Sequence, residues 1–160
     1  MPVEIRPGRP EELQAAGEIV RLAYRADGWG DGYEHALADA AGRAADAEVT
    51  VAVEAGIVIG CVTFVRPGTR LAELSRPGEV ELRMLGVDPA QRGRGIGEAL
   101  VRWCLERAPE LGAHRVLLSS ETGMTGAHRL YQRLGFVRQP QLDWSPRPGL
   151  ELLAYARDLG

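Results

Sequence analysis

A strand that runs through closely spaced glycines straight into a helix leaves a chain few ways to fold, and residues 80–108, VELRMLGVDPAQRGRGIGEALVRWCLERA, read in that way. Val80 to Val87 is an apolar run suited to a strand. Asp88 and Pro89 end it, because proline donates no ladder hydrogen bond and holds its predecessor extended. Arg92, Gly93, Arg94, Gly95, Ile96 and Gly97 follow, and the helix they open repeats Ile96, Leu100, Cys104 and Ala108 about once per turn. The first turn of a helix has N–H groups without intrahelical partners. No Ser, Thr, Asp or Asn stands between Gln91 and Gly97 to cap them. Glycine allows close approach to the main chain and positive φ, and arginine offers a forked donor suited to phosphate. Together these features describe a cradle for a pyrophosphate or similar dianion. A tight turn whose glycines serve packing alone is the plainer account.

The common nucleotide templates do not fit. A Walker loop needs Gly-Lys-Ser/Thr, and all 19 Lys and Arg residues of this chain are arginine. The dinucleotide fingerprint, counted from Gly93, meets Glu98 where its last glycine belongs. The pattern that fits is Arg/Gln-x-x-Gly-x-Gly/Ala, here Arg92, Gly95 and Gly97. It resembles the acetyl-CoA-binding signature of the GNAT superfamily of N-acetyltransferases. The resemblance includes the preceding Met84-Leu85-Gly86-Val87-Asp88-Pro89 and a second segment, Ala127-His128-Arg129-Leu130-Tyr131-Gln132-Arg133-Leu134-Gly135-Phe136.

Composition narrows the setting. At 160 residues, 45% hydrophobic and 26% charged, the chain reads as one soluble globular domain over 1–160. A net charge of −3 gives no reason to expect nucleic-acid binding, although Arg92, Arg94, Arg129 and Arg133 gather locally. Cys61 and Cys104 have no metal-ligand or CxxC spacing, so buried free thiols and no metal site are expected. The polar N-terminus and the lack of a long apolar run predict a cytoplasmic protein without signal peptide or membrane span.

Along the chain, Val3 to Arg6 alternates like a strand, and Pro10, Glu11 and Glu12 open a helix with the stripe Leu13, Ala16, Val20, Ala23. A glycine- and aromatic-rich loop with Trp29 and Tyr33 leads to a second helix marked by Leu37, Ala40, Ala41 and Ala44. Residues 49–53 and 57–65 form a hairpin around Glu54-Ala55-Gly56, and residues 67–78, with two Pro-Gly pairs, form a loop. After the central helix come a short strand at residues 115–119, a helix ending at Gly135, extended Phe136-Val137, a polar connection at residues 139–149 and a last strand at residues 150–155. Propensity alone gives a mixed α/β domain. The order β-α-α-β-β-β-α-β-α-β-β is that of the GNAT fold.

The resemblance implies that parallel strands four and five splay apart and admit the pantetheine arm of acetyl-CoA. Main-chain groups of Leu85 and Val87, around Gly86, would pair with its amides. The N–H groups of Arg92, Gly93, Arg94, Gly95, Ile96 and Gly97 would hold the pyrophosphate, and the small Ala127 would leave room at the thioester. Tyr131 falls at the family's general-acid position, and a phenol near pKa ~10 can donate to a departing thiolate whose acid lies near ~8.5; a core tyrosine on an apolar stripe is the bland alternative. Glu81, on one strand face with Arg83, is the candidate base, or a carboxylate that binds a cationic acceptor, or a surface partner of Arg83. Glu121 and Ser119 stand behind it as candidates, and the three histidines have no helpful spacing. Trp29, Tyr33, Glu81, Asp143 and Trp144 are candidates for the acceptor site. Met124 stands where the family commonly has an asparagine that contacts the cofactor arm. The implied activity is direct acetyl transfer from acetyl-CoA to an amine of a small molecule or peptide, with a homodimer as the family-level expectation. A catalytically silent CoA-binding sensor or interaction module is the alternative.

Overall fold

The computed structural model describes residues 2–30 and 32–160. The amphipathic stripe predicted for the first helix is what folds it: α1 (Leu13–Ala26) buries Ala16, Gly17, Val20 and Ala23 after a 3-10 turn at Pro10–Glu12. The second predicted helix is two short ones, α2 (Glu34–Ala38) and α3 (Ala40–Ala44). Asp39 breaks them, because its side chain leaves helical register to accept the N–H of Gly42 at 3.0 Å.

The strands are β1 (Glu4–Pro7), β2 (Glu48–Glu54), β3 (Ile57–Val65), β4 (Glu79–Val87), β5 (Arg115–Glu121), β6 (Val137–Arg138), β7 (Trp144–Arg147) and β8 (Leu150–Asp158). They form one sheet in the order β1-β2-β3-β4-β5-β8-β6, with β7 also on β8. β4 and β5 pair in parallel, joined through α4 (Ile96–Arg107), and the other pairs are antiparallel. α5 (Thr125–Arg133) follows β5. One apolar core combines Val80, Leu82, Val116 and Leu118 of the sheet with Leu100 and Cys104 of α4 and with Tyr131 of α5. The other combines Val51, Cys61 and Met84 with Val20, Leu37 and Ala40 of α1 to α3. The sheet is thus covered on both faces. Cys61 and Cys104 are buried free thiols, as their apolar surroundings in sequence predict.

β4 is not the straight strand its sequence suggests. Cys61 pairs with Gly86 and Thr63 with Arg83, so two steps on β3 face three on β4. Met84 takes the strain at φ 55°, unusual for a side chain of its size. The extra residue reverses the alternation: Val80 and Leu82 face the α4 core, Met84 faces the α1 core, and Leu85 and Val87 return to the α4 side. It also re-aims the strand. Parallel pairing runs from Glu79–Arg115 to Leu82–Leu118 and stops there, although β4 continues to Val87 and β5 to Glu121. Gly86 allows α1 to close on the bent end, since a Cβ there would come within 2.9 Å of Val20 Cα.

The Pro-Gly loop before β4 is anchored by two buried carboxylates of that strand. Glu81 Oε1 accepts the N–H groups of Glu73, Leu74 and Ser75 at 3.0, 2.8 and 2.9 Å. Glu79 Oε1 accepts that of Arg76 at 2.9 Å. Residues 139–149, read from sequence as a polar connection, contain β7, which pairs Trp144 with Leu152 and Arg147 with Leu150. No helix among the described residues is long and apolar enough to cross a membrane.

Candidate active site

Where β4 and β5 part, a cleft of about 950 Å³ opens. One wall is β4 from Leu82 to Val87 and the turn at residues 91–98; the other is Leu118 to Ser120 and the face of α5 with Ala127, Leu130 and Tyr131. The sequence pattern places the turn where the bent strand ends, and Gly93 (φ 81°) and Gly95 (φ 76°) hold left-handed backbone that favours glycine. A Cβ at either would meet nothing within 4 Å, so backbone conformation rather than crowding selects glycine there. Gly95 caps α4 without a side-chain bond. Among the described residues, no protein atom accepts from the N–H groups of residues 92–98; the first amide with a partner is Ala99, bonded to Gly95 O at 3.0 Å. A row of unpaired amides at a helix N-terminus, bordering an open cleft, fits a pyrophosphate. The two arginines are engaged: Arg92 holds Asp27 at 2.6 Å and Ala23 O at 3.0 Å, while Arg94 holds Glu54 and Gln91.

Tyr131 is 8% exposed, lines the cleft, and packs edge-on against Phe136 at 5.8 Å and tilted against Tyr155 at 6.1 Å. Burial raises its phenol above the ordinary value, so the hydroxyl stays protonated at neutral pH. Its hydroxyl has no hydrogen-bond partner among the described residues. Met124 stands at the N-terminus of α5, where its Sδ accepts from Ser120 Oγ at 3.7 Å. His128 Nε2 lies 3.1 Å from Ser120 Oγ and 3.0 Å from Glu121 O, and burial lowers its pKa, favouring neutral imidazole.

A second, smaller pocket of about 300 Å³ adjoins the first; Tyr24, Leu82, Arg83, Met84, Ser119, Ser120 and Met124 border both. Tyr33 and Trp144 line it, and Trp144 Nε1 donates to Ser119 Oγ at 3.2 Å. Trp29 instead borders the larger cleft, its ring laid over Gly123. Asp143 borders neither: it takes two bonds from Arg138 at 2.7 Å and one from Ala154 N at 2.8 Å, bracing β6 against β8. Glu81 lines the smaller pocket but is 2% exposed, and Arg83 pairs with Glu73 at 2.7 Å, so the surface Glu81–Arg83 pair, one of the alternatives their spacing left open, does not form. Arg83 also donates to Leu71 O at 3.1 Å and to the Tyr33 hydroxyl at 3.0 Å.

Sequence reasoning missed three of these residues. Tyr24 ends α1 between the two cavities, and burial pushes its phenol up to about 12. Glu73 lies in a loop without motif, and there burial raises its pKa against the opposing pull of Arg83. Arg83 was legible only as a possible partner of Glu81. No group of three or more potential metal ligands gathers among the described residues.

The acetyltransferase (GNAT) family model matches residues 13–136. A mycothiol acetyltransferase of Mycobacteroides abscessus is 44% identical over 64 residues, 40% of this chain and 22% of that protein. The matched stretch is thus about a fifth of that relative's length. Among solved structures, a GNAT family acetyltransferase from Brucella melitensis in complex with acetyl-CoA is 27% identical, over 99% of this chain and 92% of that one, with a TM-score of 0.66. yncA, a putative acetyltransferase from Salmonella typhimurium with its cofactor acetyl-CoA, has the same fold at 24% identity and a TM-score of 0.72, over 100% of this chain and 95% of that one.

Proposed function

The chain belongs to the acetyltransferase (GNAT) family, and from that footing we propose that residues 1–160 work as one unit that moves an acetyl group from acetyl-CoA to an amine of a small molecule or peptide. One observation carries this reading. β4–β5 pairing stops at Leu82–Leu118, and the cleft that opens there has unpaired amides at one end and the pocket bordered by Tyr33 and Trp144 behind it.

Acetyl-CoA supplies the activated acyl group. The amides of Gly93, Arg94, Gly95, Ile96 and Gly97 hold its phosphates, while Arg92 and Arg94 frame the loop through Asp27 and Glu54. Leu85, Gly86 and Val87 form the strand-like wall for the thin arm, and Ala127 leaves space on the opposite side. Tyr131 donates a hydrogen bond to the departing sulfur. Its raised pKa lies further above that of a thiol near ~8.5, so complete transfer of the phenolic proton is uphill and the stabilisation comes from the hydrogen bond itself.

The acceptor enters the smaller pocket past Tyr33 and Trp144, with Trp29 flanking the junction from the cleft side. The carboxylates of Glu73, Glu81 and Glu121 face the guanidiniums of Arg83 and Arg147 in that pocket, an excess of acid that favours an ammonium-bearing acceptor. Glu81 contributes charge and holds the loop wall; Asp143 acts from outside, by bracing β6 against β8, the strand on which β7 and its Trp144 pair. The test is thiol release from acetyl-CoA against a panel of primary amines and peptides with free N-termini. Amine-dependent release is expected. Tight acetyl-CoA binding with no release for any amine would instead favour a silent CoA-binding module.

A further inference from the structure

We infer that Glu121, rather than Glu81, takes the proton from the acceptor's ammonium group and is the catalytic base of this site. The inference rests on the transfer reading above and deepens it. Among the described residues, three carboxylates border the acceptor pocket, and their hydrogen bonds separate them. Glu81 spends one oxygen on three backbone N–H groups, which hold it in place and draw its charge into the loop. Glu73 is tied to Arg83 at 2.7 Å. The Glu121 carboxylate has no hydrogen-bond or ion-pair partner among the described residues.

Its position suits the task. β5 pairs Glu121 with Leu152 and Ser119 with Ala154, and alternation puts Ser119 and Glu121 on one face. That face is the acceptor side, because Ser119 Oγ there receives Trp144 Nε1. Glu121 lies beyond the last β4–β5 pair, where the strands have already parted. Its charge also reaches Tyr24, which borders both cavities. Among the described residues, the charged and titratable groups that share its pocket are Arg147 of β7, Arg83 and Glu81 of β4, Glu73 of the loop, Tyr24 of α1 and Tyr33 just before α2. His128 of α5 engages the Glu121 carbonyl and not its carboxylate. Burial raises the proton affinity of Glu121 and Arg147 opposes that rise, so the carboxyl is a better base than an exposed glutamate yet open enough to exchange with water.

The ammonium group gives one proton to a Glu121 oxygen, and the neutral amine forms a C–N bond to the acetyl carbon as the C–S bond breaks. The thiolate leaves beside the Tyr131 hydroxyl and takes the second amine proton through water. Glu121 then releases its proton to solvent, so each turnover yields amide, free thiol and one proton.

The test compares kcat/KM against pH for the wild type, Glu121→Gln, Glu121→Asp and Glu81→Gln, using the most reactive amine of the panel, with acetyl-CoA binding followed by calorimetry. Glu121→Gln is expected to lose about 100-fold or more at neutral pH, in the range usual for a lost general base. It should also exchange the wild-type acid limb for one set by the amine's own higher ionisation, so that the rate recovers only as rising pH supplies free amine, and it should bind acetyl-CoA as the wild type does. Glu121→Asp should restore part of the rate and the limb. Glu81→Gln, whose amide oxygen can still accept the three N–H groups, should retain the limb. The wild-type acid limb surviving unshifted in Glu121→Gln, or disappearing in Glu81→Gln, overturns the assignment while leaving acetyl transfer intact. A wild type that turns over no amine overturns both.

Discussion

Burial acts on Tyr131 and an ion pair acts on Glu12, and the two move their groups in opposite directions. The Tyr131 phenol is raised by burial, so it is protonated at every pH below its shifted value, and ionisation cannot remove the donor in the neutral or mildly alkaline range. Tyr131→Phe should lower kcat by about 100-fold, the lower end for a lost proton donor, and leave the KM for acetyl-CoA within about threefold. The wild-type rate should show no alkaline loss up to about pH 10, the ordinary phenol value. Equal kcat for the two proteins would make Tyr131 a packing residue. Glu12 lies under Arg6, which donates to both its oxygens at 2.7 and 2.9 Å and lowers its pKa to about 2. A carboxyl depressed by folding stabilises the protein above its unfolded value of 4.5, and that contribution fades as pH falls toward about 2. Urea midpoints measured from neutral to acid pH should therefore fall less steeply for Glu12→Gln than for the wild type. Parallel slopes would mean the pair contributes nothing.

The legible elements were those whose residues repeat with a helical or strand period or carry a turn signal. The stripe Ile96, Leu100, Cys104, Ala108 is buried as predicted, and the glycine-rich turn is an uncapped helix start. The β4 bulge was illegible, because a left-handed strand residue announces itself when it is glycine and here it is Met84. β7 was hidden by Pro146 and by the absence of apolar alternation, since its residues lie at the sheet margin. Glu81 read as a base, an acceptor-binding carboxylate or a surface partner of Arg83, because nothing in a sequence says which loop will fold back over a strand. The turn after β4 is the element with the most direct test. Gly95→Ala places a side chain in left-handed backbone at a cost of about 1–2 kcal/mol, and the chain can relieve this by turning the amides away. Acetyl-CoA binding should weaken about tenfold by calorimetry, since about 1.4 kcal/mol is a factor of ten. Gly112→Ala bears the same penalty at φ 78° beyond the end of α4, away from the cleft, and should cost stability without changing affinity. Equal affinities for wild type and Gly95→Ala would remove the amide cradle from the account.

Four residue pairs, Glu79–Arg115 to Leu82–Leu118, join the half of the sheet that carries β1 to β4 to the half that carries β5 to β8. Beyond them the two halves diverge, one ending in the turn before α4 and the other in α5, with the cleft between. A ligand lying in that cleft touches both, so it should act as a clamp on the molecule rather than as a local brace. With acetyl-CoA at about 100 times its dissociation constant, mass action adds about 2.7 kcal/mol to stability. For a chain of this size that corresponds to a rise in Tm of about 5–11 °C. The distribution of the effect is the sharper measurement. Hydrogen exchange should slow at residues 84–87 and 93–98 and also across the cleft at residues 119–121 and 124–131, because holding either half demands that the other stay docked. ATP, which offers phosphates without a thioester tail, should protect the turn alone and raise Tm less. If acetyl-CoA protected only residues 93–98, or if ATP matched it in both measurements, the divergent strands would be a gap in the sheet and not the seat of the acyl donor.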